Sequence, residues 1–369
     1  MSWLEPDGEG YRLGIARFDG SAWERTGSLN AGGSWFVNWA DVPSVEPSGP
    51  GRLWAHWLEM LSGEQYAYGV RIARSDDQGA TWTTPEWLHD DRSATEHGFA
   101  ALVGDGHGGV TAVWLDGGKY ATGENEMVVK ARDIDPAGVF GPESIVDDRT
   151  CDCCPNAAVR LADGRVVAAY RDRSVDEVRD IGVAVRTGGN QGLWSEPRRL
   201  HEDAWTIDSC PVNGPALDAD GDRVVAAWFT MEGSQPRVFA SFSGDGGASF
   251  GPPIRIDEGA GMGRVDVEML SDGSAIVIWI EAGGSGAEAG GSASVDDPAT
   301  SAPIRRAGIM ARRVMPDQGA SEARLLVETA TSRAAGYPRL VRSGDTLLLA
   351  WTEASDQRNV KVARVRHFQ

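Results

Sequence analysis

The sequence is poor in lysine, in cysteine and in long apolar runs. Only three of its 369 residues are lysines, and 54 acidic residues against 35 Lys and Arg give a formal net charge of −19. Such an acidic protein binds polyanions poorly, so we expect no nucleic-acid partner. No apolar run reaches the ~18 residues of a membrane-spanning helix, so we expect no membrane span. Four cysteines are too few for a disulfide scaffold.

The N-terminus lacks the basic start and the apolar segment of a secretory signal. The residues from Ser2 to Glu5 instead have the pattern of a strand end. We therefore expect that a signal peptide has been removed upstream of this sequence, which predicts a periplasmic or secreted protein.

A short apolar strand that ends in an aromatic residue and then a polar or acidic one recurs seven times. The copies are residues 2–5, 55–59, 112–116, 168–172, 226–230, 277–281 and 349–353. A second, alternating strand follows each copy, and a third often opens with an aromatic residue near a proline. One more short strand precedes every copy except the first. Gly, Asp and Asn fill the gaps, as tight turns require.

Four short antiparallel strands at this period predict the blades of an all-β propeller, with strands named A to D from the inside outward. Because strand A is missing at the N-terminus and strand D at the C-terminus, we prefer seven blades, with six as the alternative. Residues 1–369 are expected to form a single propeller domain. The Gly/Ser/Ala-rich residues 283–301 are predicted to be a flexible insertion within the sixth blade.

Two segments, residues 75–82 and 243–250, share the pattern S-x-D-x-G-x-[TS]-[WF]. In such a turn the Asp side chain bonds to the backbone, the Gly takes a positive φ, and the aromatic residue packs between strands. This pattern is the Asp box (BNR repeat), and the chain resembles the sialidase superfamily of propellers. The boxes occupy C–D hairpins and therefore bear on the fold rather than on catalysis.

The resemblance implies a glycoside hydrolase, although the N-terminal Arg-Ile-Pro signature of sialidases is absent. Sialidases bind a carboxylate with three arginines and use a Tyr–Glu nucleophile pair and an acid/base Asp. The candidates for these catalytic roles are Tyr170, Asp266 and Glu268. The chain is also similar to exported bacterial proteins labelled sialidase-like, a label that describes their fold. The matching stretches are residues 39–41, 96–98, 151–154, 170–173 and 210–215.

The D-to-A and B-to-C connections of a propeller open on one face, so their residues are expected to converge there. These connections contain all four cysteines as well as acids, arginines and tryptophans. Glu96 and His97 are added as candidate catalytic residues. The candidate substrate-binding residues are Trp39, Asp41, Arg171, Arg173, Arg179, Asn213, Arg264 and Arg333. The Arg/Asp clusters have a structural interpretation too, in which they neutralise one another and hold blades together.

The cysteines have three competing interpretations. Cys151, Cys153 and Cys154 precede the fourth A strand and Cys210 precedes the fifth, so all four are candidate ligands of a soft metal, with His97 as a further ligand. The second interpretation is disulfides, of Cys151 or Cys154 with Cys210 or between Cys153 and Cys154. The third is buried thiols. An exported location favours disulfides unless the protein handles copper.

Three functional hypotheses follow. The leading one is a metal-dependent oxidoreductase or metal-handling protein, with copper preferred, zinc as the alternative, and a small anionic ligand. The second is a glycoside hydrolase acting on an anionic sugar, with structural disulfides. The third is a non-catalytic propeller that binds a glycan or a protein. We expect a monomer and no nucleotide cofactor. Four histidines are predicted at the surface: His89, His107, His201 and His367.

Overall fold

The structure is a computed structural model that describes residues 1–30, 32–187, 192–283, 306–353 and 359–365. The chain is a seven-bladed β-propeller of antiparallel sheets, and the blade prediction is confirmed. Helical structure in the described ranges is limited to α1 (Gly118–Ala121) and two 3-10 turns, Glu232–Ser234 and Arg333–Ala335. None of these helices is long and apolar enough to cross a membrane. Residues 284–301 of the predicted insertion lie outside the described residues.

The first four sheets carry fifteen strands. Sheet one contains β1 (Ser2–Asp7), β2 (Gly10–Phe18) and β3 (Trp23–Leu29). Sheet two contains β4 (Ser44–Gly49), β5 (Arg52–Met60), β6 (Tyr68–Ser75) and β7 (Glu86–Trp87). Sheet three contains β8 (His97–Gly104), β9 (Val110–Asp116), β10 (Met127–Ile134) and β11 (Ser144–Thr150). Sheet four contains β12 (Ala157–Arg160), β13 (Val166–Arg171), β14 (Ile181–Arg186) and β15 (Arg198–Arg199).

The last three sheets follow in chain order. Sheet five contains β16 (Ala216–Asp220), β17 (Arg223–Thr230), β18 (Arg237–Ser243) and β19 (Ile254–Arg255). Sheet six contains β20 (Gly261–Met269), β21 (Ala275–Ala282), β22 (Arg306–Met315) and β23 (Gly319–Ala320), and β24 (Arg324–Ala330) pairs with β22. Sheet seven contains β25 (Arg339–Ser343), β26 (Thr346–Thr352) and β27 (Val360–Val365). In the described chain the first sheet lacks strand A and the last lacks strand D, as predicted.

The chain divides into two compact units, each with its own core. The first comprises Met1–Ala168 and Ala184–Arg198, and the second comprises Ala169–Val183 and Arg199–Gln369. The repeated aromatic residues of the B strands form the centres of these cores: Trp57 and Trp114 in the first unit and Trp228 and Trp279 in the second are each 0% exposed. Strands buried on both faces explain why the B strands are continuously apolar instead of alternating.

The two predicted turn motifs have the expected hydrogen bonds. Asp77 accepts the backbone N–H of Thr81 at 2.8 Å and its hydroxyl at 2.6 Å, and Asp245 accepts the same two donors of Ser249 at the same distances. Gly79, at φ 93°, supplies the left-handed turn residue. These contacts fix the hairpins between β6 and β7 and between β18 and β19.

The surface prediction for His89 is wrong, because this side chain is 0% exposed. Its Nε2 accepts the backbone N–H of Val70, and its ring stacks on that of His97 with centroids 4.2 Å apart. Burial lowers the pKa of His89 to about 3, so the imidazole is neutral at physiological pH.

Candidate functional site

Three of the four cysteines form one sulfur cluster in the first unit. Cys151 directly follows β11, and Cys154 precedes Pro155 just before β12. The Sγ atom of Cys151 lies 3.8 Å from that of Cys153 and 3.7 Å from that of Cys154. Cys151 and Cys154 are each 1% exposed, whereas Cys153 is only half-buried. One ligand atom from each residue lies within 4.8 Å of the others, so this cluster is compact enough to hold one metal ion.

The cysteines of the described chain are thiols and form no disulfide. This arrangement does not contain the predicted pairings of Cys151, Cys153 or Cys154. Cys210 belongs to the second unit and is exposed. Its role as a fourth metal ligand stays a prediction.

Carboxyl groups and a buried tyrosine lie beside the cluster. The hydroxyl of Tyr68, which begins β6, donates a short hydrogen bond to Oε1 of Glu96 and lies 3.5 Å from Oδ2 of Asp41. Tyr68 is 0% exposed and its ring stacks on Phe36 with centroids 4.0 Å apart. The charge of Asp152, inside the cysteine segment, acts on Glu96. Three carboxyl groups, those of Asp41, Glu96 and Asp152, therefore lie in this part of the first unit.

The start of β8 has an irregular conformation, with a shift in its register against β9 between Gly98 and Ala101. Phe99 has a positive φ of 50°, and its backbone N–H donates to Oδ2 of Asp41 at 2.7 Å. The side-chain amide of Asn156 donates to the carbonyl of Phe99 at 3.2 Å, which connects the segment after the cysteines to the start of β8. A Cβ at Gly98 would overlap the Asp41 carboxylate and lie 2.8 Å from the Tyr68 ring, so a larger residue here would force its neighbours to move. A constrained backbone of this kind often marks a functional site.

Burial makes two of these carboxyl groups much weaker acids than usual. Burial raises the pKa of Asp41 to about 7, despite the hydrogen bonds from Phe99 and Tyr68 that favour the charged form. Burial likewise raises the pKa of Glu96 to about 8, and the nearby charges of Asp41 and Asp152 act in the same direction. The pKa of the Tyr68 phenol rises well above its usual value for the same reasons. Asp41 and Glu96 therefore hold their protons to a higher pH than ordinary carboxyl groups do.

His97 belongs to a different group from the sulfurs. It is 0% exposed, with Nδ1 3.3 Å from Asp116 and Nε2 3.8 Å from Asp91. Asp116 also pairs with Lys130 at 3.1 Å. Burial would raise the pKa of Asp116, but the hydrogen bonds and charges of His97 and Lys130 bring it well below its usual value. This geometry favours a structural role for His97 over the predicted roles in catalysis or in ligation beside the thiols.

The predicted anion-binding arginines lie in the second unit, where Arg171 is buried. It is 1% exposed, and its guanidinium donates to the backbone carbonyls of Asn213 at 2.8 Å, Arg179 at 2.6 Å and Phe229 at 2.7 Å. Its guanidinium also lies over the ring of Trp205, 4.9 Å from the centroid. With these donors engaged, the geometry does not favour a role in binding a substrate carboxylate.

Arg264 and Asn213 connect loops of the second unit. Arg264 has a φ of 53°, is 6% exposed, and donates from Nη1 to the carbonyl of Ser332 at 2.9 Å. Its backbone N–H donates to Oδ1 of Asn213 at 2.8 Å. Burial lowers the pKa of Arg264, and the charge of the exposed Arg333 contributes to this shift. Of Arg171, Arg264 and Arg333, only Arg333 is exposed.

Arg173 and Arg179 share a carboxylate of their own loop. Glu177 accepts Nη2 of Arg173 at 2.8 Å and Nη2 of Arg179 at 2.9 Å. This agrees with the structural interpretation of the charge clusters, in which neighbouring charges neutralise one another.

Asp266 and Glu268 lie on β20 among other acids. Burial raises the pKa of Glu268 to about 8, and the charges of Asp218 and Asp266 add to this shift. Burial also raises the pKa values of Asp266 and Asp218. Oδ2 of Asp266 accepts the backbone N–H of Leu340 at 2.8 Å. These are properties of groups that can act as general acids, so the catalytic prediction for both residues stays open.

The other predicted residues have simpler surroundings. Tyr170 is 0% exposed and packs against Gly182, where a Cβ would lie 2.7 Å from its ring. Trp39 is half-buried.

Tyr68, Asp152 and Asp218 were not among the site residues predicted from the sequence. Tyr68 is the first residue of a C strand and therefore adjoins a B-to-C connection, which is the signal that would have included it. Asp152 stands between Cys151 and Cys153. Asp218 lies on β16, which is the A strand of the blade before the one that contains β20.

No family model matches the sequence, and no significant match is found among curated proteins. Solved structures do match. The Hadza microbial sialidase Hz136 has a TM-score of 0.51 at 12% identity over 88% of this chain, which spans 65% of that protein. The phage phi92 endosialidase has a TM-score of 0.52 at 10% identity, over 91% of this chain and 69% of the other.

A third match is the GH93 α-L-arabinofuranosidase of Fusarium graminearum, solved with arabinobiose. Its TM-score is 0.52 at 14% identity, over 88% of this chain and 93% of the other. The chain has the sialidase-like β-propeller fold. At these identities the likeness establishes the fold alone, and the activity of this sialidase-like propeller has to be argued from its own residues.

Proposed function

We propose that this sialidase-like propeller is an exported protein that binds a soft metal ion through Cys151, Cys153 and Cys154. The observation that carries the proposal is the spacing of the sulfurs, with Cys151 Sγ at 3.8 and 3.7 Å from the other two. Metal–sulfur bonds of about 2.3 Å at tetrahedral angles place two ligand sulfurs about 3.8 Å apart. The Cys151–Cys153 and Cys151–Cys154 pairs therefore already have the spacing of ligands around one ion.

The donor set supports copper first and zinc second. Thiolates select Cu(I) and Zn(II) over the hard cations, and the sulfur cluster contains no imidazole. Asp152, whose Oδ1 lies 4.0 Å from Cys151 Sγ, adds negative charge that favours a bound cation. We include Cys210 as a further candidate ligand, as predicted from the sequence. Metal handling and metal-dependent oxidation of a small anionic ligand are the two uses that we propose for the site.

The test is elemental analysis of protein purified without chelator, with thiols counted in denaturant after metal removal. We expect about one equivalent of copper or zinc per chain, in keeping with a single compact cluster. Cys151→Ser and Cys154→Ser, which remove the buried donors, should each abolish retention of the metal through gel filtration. Unchanged metal content in both variants, with native circular dichroism, would reject the site.

Cys210→Ser distinguishes two versions of the same proposal. A site of three thiolates keeps its metal in this variant, whereas a site with four thiolates loses affinity. Circular dichroism of each variant, recorded before metal loading, separates a lost ligand from a lost fold.

A second candidate function is hydrolysis of a glycoside of an anionic sugar. The observation that favours it is the Tyr68–Glu96 hydrogen bond beside Asp41, because sialidases pair a nucleophilic tyrosine with a glutamate and use an aspartic acid as acid/base. It ranks second because Tyr68 is 0% exposed and a nucleophile must reach its substrate.

A panel of fluorogenic sialosides, uronides and arabinosides tests this candidate, with Tyr68→Phe as the matched variant. Phenylalanine keeps the ring that stacks on Phe36 and removes only the hydroxyl. Turnover that the variant loses by at least a hundredfold would support the hydrolase. Turnover that survives in Tyr68→Phe would exclude Tyr68 as the nucleophile.

A further inference from the structure

The three sulfurs of the cluster differ in accessibility. Cys153 is half-buried, whereas Cys151 and Cys154 are each 1% exposed. A reagent in solvent can therefore reach one sulfur of the cluster more readily than the other two. Access is one of the factors that decide which cysteine of a group reacts first.

Cys151 lies behind this accessible sulfur. Its Sγ is 3.8 Å from that of Cys153, close to van der Waals contact, so closing a sulfur–sulfur bond requires a movement of about 2 Å to the usual bond length. A single intervening residue, Asp152, separates the two cysteines in the chain. A group bound to Cys153 from the solvent side leaves the buried side of its sulfur open to attack by Cys151.

We propose that Cys153 and Cys151 form a thiol–disulfide exchange pair for small linear disulfides, with Cys153 as the attacking residue and Cys151 as the resolving residue. Closure of the pair would remove two of the three thiolates from the metal site. This effect on the metal rests on the proposed function. The reaction then couples metal retention to the thiol–disulfide balance of the surroundings.

The exchange balances in two steps. The Cys153 thiolate attacks one sulfur of the small disulfide, a Cys153–sulfur bond forms, and the first small thiolate leaves and takes up a proton. The Cys151 thiolate then attacks the sulfur of Cys153, a Cys151–Cys153 bond forms, and the second small thiolate leaves and takes up a proton. Two protein thiols are oxidised and one small disulfide is reduced to two thiols, with both protons coming from the protein thiols.

The experiment treats metal-free full-length protein with oxidised glutathione, quenches it with an alkylating reagent and maps the products by tandem mass spectrometry. Trypsin cleavage after Arg149 and Arg160 places the three clustered cysteines in one peptide, residues 150–160. Cys210 falls in a different peptide, residues 200–223, so its reaction is counted separately. We expect a Cys151–Cys153 disulfide, with Cys154 recovered in alkylated form.

Three variants give different expected products. Cys151→Ser should stop at a glutathione adduct on Cys153. Cys153→Ser should react at least about tenfold more slowly, because only the buried sulfurs of the cluster remain. Cys154→Ser should still close the Cys151–Cys153 bond although it loses a proposed metal ligand. An adduct found first on Cys151 or Cys154, or a Cys153→Ser variant that reacts as fast as the parent, would overturn the exchange pair.

Metal loading separates this inference from the proposed function. Where the chain binds copper or zinc, the loaded protein should react with oxidised glutathione more slowly than the metal-free protein, and each Cys151–Cys153 disulfide that does form should release the metal. Exchange at Cys153 and Cys151 in a chain that retains no metal would reject the proposed function and leave the exchange pair standing. If the chain retains metal but its metal-free form gives none of these products with oxidised glutathione, the exchange pair alone is rejected.

Discussion

The indole Nε1 of Trp57 donates a 2.8 Å hydrogen bond to Oε1 of Glu59, two residues further along β5. Residues i and i+2 of a strand face the same side, so the acid can reach the indole without a turn. Trp114 with Asp116 and Trp279 with Glu281 repeat this contact at 3.2 and 2.5 Å. In these strands the acidic residue two positions after the tryptophan therefore accepts the hydrogen bond of the buried indole N–H.

Replacing Glu59 by alanine should lower the free energy of unfolding by about 1 to 3 kcal/mol, because it leaves the Trp57 N–H buried and unpaired. Trp57 is 0% exposed, so water cannot easily replace the lost acceptor. Glu59→Gln keeps an acceptor oxygen and should recover most of this loss. Urea denaturation followed by tryptophan fluorescence measures both variants.

Glu353 offers a matched control, since it also lies two residues after a tryptophan, Trp351, but is exposed. Its carboxylate is 3.7 Å from Lys361. Glu353→Ala should change stability by no more than about 0.5 kcal/mol. Equal losses in Glu59→Ala and Glu353→Ala would show that burial of the indole contact is not what makes the Glu59 position sensitive.

Gly98→Ala is expected to disturb the acidic group beside the cysteines. The new Cβ would overlap the Asp41 carboxylate and lie 2.8 Å from the Tyr68 ring, so either the start of β8 or these side chains must move. Overpacking of this kind costs about 1 to 3 kcal/mol. Gly63→Ala is the control, because a Cβ at that position would meet no neighbouring group within 4 Å. Thermal unfolding of the two variants should therefore differ, and equal melting temperatures would contradict this packing.

The blade order was predictable because it depends on local patterns. Each of the seven aromatic-ended strands is followed by an alternating strand, and the blade needs only pairing between strands that are consecutive in sequence. The pairing of β5 with β6 and of β9 with β10 shows this. The turn contacts of Asp77 were predictable for the same reason, since donor and acceptor lie four residues apart.

The site was harder to predict, because its contacts join residues distant in sequence. Tyr68 meets Glu96 across 28 residues, and no pattern in either segment specifies that partner. Arg171 is of a residue type that often binds anionic ligands, but its guanidinium donates to backbone carbonyls. One of these carbonyls belongs to Phe229, 58 residues away in the sequence. The cysteine cluster was identified more easily, since a separation of at most three residues limits how far its sulfurs can lie apart.

The acidic group on β20 predicts a pH dependence of stability. The folded chain raises the pKa of Glu268 from 4.5 to about 8, mainly by burial. Between these values the folded state binds the proton more tightly than the unfolded state. The stabilising contribution is therefore complete below pH 4.5 and is lost as the pH rises through 8. The loss is at most about 1.4 kcal/mol per pH unit for one such group.

Glu268→Gln tests this dependence, because glutamine resembles the neutral acid and cannot ionise. The variant and the parent should have similar urea midpoints at pH 5, and the variant should be more stable at pH 8.5. Asp218 and Asp266 remain in both proteins, so their own contributions largely cancel in the difference. A difference in stability that stays constant from pH 5 to 8.5 would contradict the raised pKa.

Arg171→Lys decides between a structural arginine and a ligand-binding one. Lysine keeps the charge but cannot reproduce the planar fork that reaches the carbonyls of Asn213, Arg179 and Phe229, so we expect a loss of about 2 to 4 kcal/mol in the free energy of unfolding. Arg333→Lys, at an exposed position, should leave stability unchanged. If Arg171→Lys unfolds at the parent's urea midpoint but weakens binding of an anionic ligand, the carbonyl contacts are dispensable, and the arginine belongs to a binding site after all.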